Sequence, residues 1–183
     1  MAEPNPEELF DQGKEILDFA VSGGGGAFRV DSLEAKKYYI QAKEYFEKAC
    51  NLNYAKGCVR LGGLYEGENL VIRREPRLKK RLEKAIQYYS KACDLNDKFG
   101  CSRLGAMQYI GKGVVKNEKQ AAEKFEKACK LGKQEACEMV TYKGLCELGH
   151  KEACEIFSLE VLCESSDQKA CSMSYDKKKA LGF

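Results

Sequence analysis

The segment Ala85-Ile-Gln-Tyr-Tyr89-Ser-Lys-Ala92-Cys93-Asp-Leu95-Asn-Asp-Lys-Phe99-Gly-Cys101-Ser-Arg-Leu104-Gly105 contains the whole plan of the chain. Counting from Cys93, alanine stands eight residues before, an aromatic four before, alanine one before and leucine two after. The same offsets recur at Ala42, Phe46, Ala49 and Leu52 around Cys50, and at Ala121, Phe125, Ala128 and Leu131 around Cys129. Residues so spaced fall on one stripe of a helix. A short polar turn follows, then a second cysteine, then Leu61-Gly62 or Leu104-Gly105 on the next helix. Small residues facing large ones at i, i+3, i+4 spacing let two helices approach closely as a hairpin.

The first cysteines lie 43 and 36 residues apart, a period that means a helical solenoid. The spacing predicts helices over 6–21, 33–51, 55–66, 77–94, 98–110 and 117–131, then shorter ones near 134–145, 152–163 and 168–180. The reading is one all-α array over 1–183. It comprises an N-terminal hairpin (1–52), a repeat with a seven-residue loop insertion (53–95), a full repeat (96–131) and a half-length cap (132–183). In the cap the first cysteines, Cys146 and Cys163, come at intervals of 17 residues, and Val140-Thr141 and Phe157-Ser158 replace the Leu-Gly pair. Terminal repeats are expected to be atypical.

The ten cysteines form five couples eight positions apart: Cys50/Cys58, Cys93/Cys101, Cys129/Cys137, Cys146/Cys154 and Cys163/Cys171. No C-x2-C spacing suited to zinc or thiol redox exchange is present, so disulfides are favoured over buried free thiols. Disulfides place the protein in the periplasm or outside the cell. The start, Met1-Ala-Glu-Pro, has no signal-peptide character, and a removed signal peptide is the expectation. A net charge of +3 from 31 basic and 28 acidic residues gives no nucleic-acid footprint, and no apolar run suits a membrane span. A single histidine, His150, excludes a multi-histidine zinc centre, and no cofactor or metal is expected. His150 aligns with Lys133, in a turn read as exposed.

Two further stretches, Tyr88-Tyr-Ser-Lys-Ala-Cys93 through Cys101 and Gly111-Lys-Gly-Val-Val-Lys-Asn-Glu-Lys-Gln-Ala121, carry a resemblance. They look like the Sel1-like repeat, a relative of the tetratricopeptide repeat, and the cysteine couples are similar to the Helicobacter cysteine-rich protein family. The likeness covers about residues 35–137 well and the cap only through its cysteines. It implies a right-handed helical superhelix with each hairpin stapled to the next, secretion, and penicillin binding with weak β-lactam hydrolysis.

The residues themselves give that chemistry little support. Serine β-lactamases need S-x-x-K with S-D-N and K-T-G. Ser166-Asp-Gln-Lys169 and Ser174-Tyr-Asp-Lys177 match the first element, the other two are absent, and chance alone predicts about one such match. The catalytic residue is therefore unassigned. The basic run Arg73, Arg74, Arg77, Lys79, Lys80 and Arg81 reads as a solvated insertion, or as an anion-binding patch, and not as a helix stabiliser. Gly23 to Gly26 reads as a flexible hairpin loop.

A solenoid's concave face offers a groove. The stripe adjacent to the packing phase is Lys56, Val59, Gly63 and Glu66 in one repeat and Phe99, Ser102, Ala106 and Tyr109 in the next. Tyr109 stands one place beyond Gln108, which occupies the position of Tyr65, so its ring is turned about 100° from the packing phase. Phe99 and Tyr109 are expected to flank a partly exposed pocket. The functional expectation is a monomeric extracytoplasmic binding module whose concave groove takes a peptide, a glycan or a host protein, or a peptidoglycan-like or β-lactam ligand, with weak β-lactam hydrolysis as the alternative.

Overall fold

The computed structural model describes residues 2–67 and 75–183, the side chains of 75 and 76 excepted. Among the described residues the regular structure is entirely helical: α1 (Pro6–Val21), α2 (Gly23–Gly26), α3 (Leu33–Asn51), α4 (Ala55–Gly67), α5 (Glu75–Asp94), α6 (Lys98–Ile110), α7 (Glu118–Lys130), α8 (Gln134–Glu147), α9 (Lys151–Glu164) and α10 (Gln168–Ala180). Side-chain oxygens fix many of the starts. Asn5, Ser32, Asp97, Asn117 and Asp167 accept from first-turn amides that have no partner within the helix. The chain forms two compact units, Met1–Leu95 and Asn96–Phe183.

A left-handed residue stands three places after the first cysteine of every couple: Asn53, Asn96, Gly132, Gly149 and Ser166, with φ between 61° and 96°. This position reverses the chain so that the next helix begins beside the last. Asparagine and glycine adopt it readily, whereas serine does so less easily. Across the turn the four couples Cys50–Cys58, Cys129–Cys137, Cys146–Cys154 and Cys163–Cys171 are bonded, with Cα atoms 4.6 to 4.7 Å apart. Cys93 and Cys101 are disulfide-bonded as well, and no cysteine is free.

In unit 1, Phe46 is fully buried on the inner face of α3 and meets Phe10 of α1 at 5.6 Å. Gly62 of α4 lies under the Tyr89 ring of α5, and a Cβ there would come within 2.7 Å of it. The Leu-Gly pair therefore marks where two helices touch. The Gly23–Gly26 stretch is a defined left-handed turn, with φ from 61° to 95° and Ser22 Oγ accepting from the Gly25 amide, in place of the flexible loop expected. A Cβ on Gly23 would lie 2.4 Å from the Phe28 carbonyl oxygen. Only glycine fits that corner.

In unit 2, Phe125, Met139, Ile156, Phe157 and Val161 form one buried cluster with Ala106, Ala121 and Tyr142. Gly105 receives the Phe125 ring as Gly62 receives Tyr89. In the cap, where that glycine is missing, Phe157 fills the interior itself and meets Tyr109 and Phe125 edge-on at 5.1 and 6.3 Å. The half-length spacing adds one helix per disulfide, and α9 thereby packs back on α6.

Candidate functional site

The predicted groove residues have different fates within their own units. In unit 1, Lys56 is exposed, Val59 and Gly63 are half-buried, and Glu66 is only 4% exposed, accepting from the Tyr89 hydroxyl at 2.8 Å. In unit 2, Phe99 is half exposed, Tyr109 is half-buried, and Ser102 and Ala106 are fully buried. Ser102 and Ala106 are thus closed to any ligand, because the returning cap covers this stripe of α6: Ala106 belongs to the cluster with Phe157 and Val161. Glu66 is held by an interior hydrogen bond and lines no open surface.

A polar clasp holds the cap in place. Lys133, in the α7–α8 turn, is 7% exposed and donates to Ser102 Oγ at 3.0 Å and to the Glu164 carboxylate at 2.5 Å. Arg103 of α6 lies 3.6 Å from the same carboxylate and donates to Ser166 Oγ at 2.6 Å. Lys112 donates to the Ser165 carbonyl and hydroxyl, both at 3.3 Å. Lys133, in a turn read as exposed by its alignment with His150, is therefore itself buried although its neighbours Gly132 and Gln134 are exposed, and His150 is exposed. Local sequence carries no signal for this, since the partners of Lys133 come from helices 31 residues away on either side.

The two S-x-x-K serines also belong to structural contacts. Ser174 is 1% exposed and donates to Glu160, and Lys177 pairs with Glu155. Ser166 occupies the left-handed turn position. The Ser174 hydroxyl and the Lys178 ammonium meet at the same Glu160 carboxylate oxygen. Burial alone would lower Lys178, but the hydrogen bonds and charges of Glu160 and Glu138 outweigh it and hold the ammonium above the usual lysine value.

Of the basic run, Arg73 and Arg74 lie outside the described residues, and Arg77, Lys79 and Lys80 are exposed. Arg81 is different: its guanidinium donates twice to the Tyr65 carbonyl, at 3.3 and 3.2 Å, in the last turn of α4. Such carbonyls lack helical partners, so Arg81 does stabilise a helix, α4, although not the one that carries it.

Unit 2 has two open features, a surface hollow of about 620 Å³ between α9 and α10 that includes Leu159 and Met173, and a cleft of about 510 Å³ floored by Tyr109 and Phe157 and bounded by Ala122, Cys146 and charged residues of α7 and α8. Its size falls in the range of ligand pockets. Burial, then the Glu118 carboxylate, pushes the Tyr109 phenol above its usual value against the opposing Lys116 and Lys143, so the ring stays neutral. Phe99 is not among the lining residues and stands instead beneath the ammonium groups of Lys98 and Lys133, at 5.4 and 5.7 Å. The one-residue offset of Tyr109 from Gln108 explains the placement. Gln108 points into the α6–α7 packing, where its Oε1 is buried with no hydrogen-bond partner. Gln108→Leu is accordingly expected to stabilise unit 2 by about 1 kcal/mol in urea unfolding, because it removes a buried acceptor that no donor reaches. A destabilisation of that size would show that the weak contact of its Nε2 with Gln120, at 3.5 Å, matters more.

Comparison with known proteins agrees with this geometry. The Sel1 repeat model matches residues 22–54, 55–97 and 99–133. The chain is 37% identical to Helicobacter pylori cysteine rich protein B, over 73% of this chain and 96% of that one, with a TM-score of 0.47. A Sel1 repeat protein from Oxalobacter formigenes shares the fold at 19% identity and a TM-score of 0.58, over 98% of this chain and 74% of that one. A protective antigen of uropathogenic Escherichia coli displaying an SLR fold matches at 20% identity and a TM-score of 0.51, over 98% of this chain and 47% of that one. Among curated protein sequences none matches. No described helix is long and apolar enough to cross a membrane, and the disulfides are those of an extracytoplasmic protein. The three matched repeats, the left-handed turn after each first cysteine and the bonded couples lead to one assignment: the chain belongs to the Sel1 repeat family, as a cysteine-rich member resembling the Helicobacter protein.

Proposed function

We propose that this chain is a secreted or periplasmic binding module that takes an extended peptide of a protein partner at the Tyr109–Phe157 cleft. The observation that supports the reading is the half-buried Tyr109, an aromatic side chain held out of the packing phase on the floor of an otherwise well-packed unit. Aromatic surface at a concave site suits peptide recognition, because it offers contact area at low cost in side-chain entropy. The two units acting as a single monomeric array, with one unfolding transition, belongs to the same proposal. The hydrolase alternative has no observation in its favour, since both candidate serines are engaged structurally.

The experiment is a peptide array probed with the disulfide-intact chain and with Tyr109→Ala. The expected outcome is a set of bound peptides that the substitution weakens about tenfold or more at a temperature where the variant keeps its helical circular dichroism. A binding pattern indifferent to Tyr109→Ala sinks the proposal.

A further inference from the structure

The cleft joins an apolar floor to an acidic rim, and that combination selects what can enter it. Tyr109 and Phe157 meet edge-on at 5.1 Å, and Ala122 and the Cys146 disulfide line the walls. Around the mouth stand four glutamates, Glu118, Glu123, Glu126 and Glu147, against two lysines, Lys119 and Lys143. Two of the carboxylates are balanced locally, Glu118 by Lys116 at 3.1 Å and Glu147 by Lys143. Glu123 and Glu126 have no ion pair among the described residues, and they stand three positions apart on α7, so they are neighbours on one face. Independently of the rim, the chain's own Lys116 holds its ammonium over the Tyr109 ring, 5.5 Å from the centroid. The ring already takes a cation.

Resting on the peptide-binding reading above, we infer that the cleft receives one lysine or arginine side chain of an extended peptide. Its methylenes lie on Tyr109 and Phe157, and its charge stands between Glu123 and Glu126. Lysine and arginine are the side chains whose apolar stem and charged head match such a floor and rim. A cation over an aromatic face gains further when partly desolvated. Lys116 competes for the same ring and sets the resting state of the site.

The test is an NMR titration of the full, disulfide-intact chain with nine-residue Ser/Pro peptides, which are extended in solution. They carry one central lysine, Nε-acetyl-lysine or glutamate. The lysine peptide is expected to shift the Tyr109, Ala122 and Cys146 resonances and to bind roughly tenfold more tightly than the acetylated one. Glu123→Gln combined with Glu126→Gln should abolish that preference, added salt should reduce it, and Lys116→Met should strengthen lysine binding. Equal binding of the lysine and acetyl-lysine peptides, lost together in Tyr109→Ala, overturns the inference while leaving the peptide-binding reading intact. Lysine-peptide shifts that survive both Tyr109→Ala and the double glutamine variant overturn it by locating the peptide elsewhere. Absence of any shift at the cleft with the lysine peptide also overturns the inference, and peptides selected on the array then decide the broader reading.

Discussion

Lys133→Ala is expected to destabilise unit 2 by about 3 kcal/mol, near the lower end for breaking an interior ion pair. The Lys133 ammonium and the Glu164 carboxylate are 2.5 Å apart, with side chains only 7% and 13% exposed. Removing the lysine leaves Glu164 in the interior beside Arg103 at 3.6 Å, and leaves the Ser102 hydroxyl without the Lys133 donor. The Arg103 contact is why the loss stays below the top of the range. Urea unfolding of the disulfide-intact protein measures the effect. Lys133→Met together with Glu164→Leu should recover most of it, because an apolar pair of similar volume avoids the desolvation cost that the ion pair carries. A loss under 1 kcal/mol for Lys133→Ala would mean that the cap is held by the apolar cluster alone.

Reduction should divide the chain by position. Cys50, Cys58, Cys93 and Cys101 are fully buried, whereas Cys129, Cys137, Cys146, Cys154, Cys163 and Cys171 are half-buried. Thiol–disulfide exchange needs the attacking thiolate to reach a sulfur, so mild dithiothreitol followed by alkylation should label the six half-buried cysteines of unit 2 first. Each bridge closes a loop worth about 2.6 kcal/mol in the chain-entropy model. Three such losses approach the whole stability of a small domain. The helical signal of α8 to α10 should therefore be lost while Cys50 and Cys58 remain unlabelled. Peptide mapping that finds Cys50 or Cys58 alkylated as early as Cys163 would refute this order.

Much of this was legible in the sequence because the repeat is written in local terms. The offsets of Ala42, Phe46 and Ala49 from Cys50 fix a helix face, and those residues are all buried. The eight-residue couples follow from a short turn, which the structure shows to depend on a left-handed residue such as Asn53 or Gly132. The buried state of Ser102 and Ala106 was not legible, because it depends on α9 folding back across α6, and no offset along the chain encodes a contact of that range. Lys133 was missed for the same reason. Its surroundings are made by Ser102 and Glu164, each 31 residues distant. Tyr109 was legible as an exception to the repeat, since the one-place offset from Gln108 is visible by simple alignment.

The spacing of the last three couples also governs how the chain responds to tension. Between Cys129 and Cys171 the covalent path crosses three bridges, each of which holds Cα atoms 4.6 Å apart across eight residues of sequence. Those eight residues, fully drawn out, would span about 27 Å, so each bridge withholds roughly 22 Å of contour length. The chain still free to extend is the pair of spans 137–146 and 154–163, which are the bodies of α8 and α9. A bound partner pulling on this part of the molecule can stretch individual helices but cannot peel one turn away from the next. Oxidation makes the segment from Cys129 to Cys171 a short tether of limited reach, and reduction would release the withheld length in discrete steps.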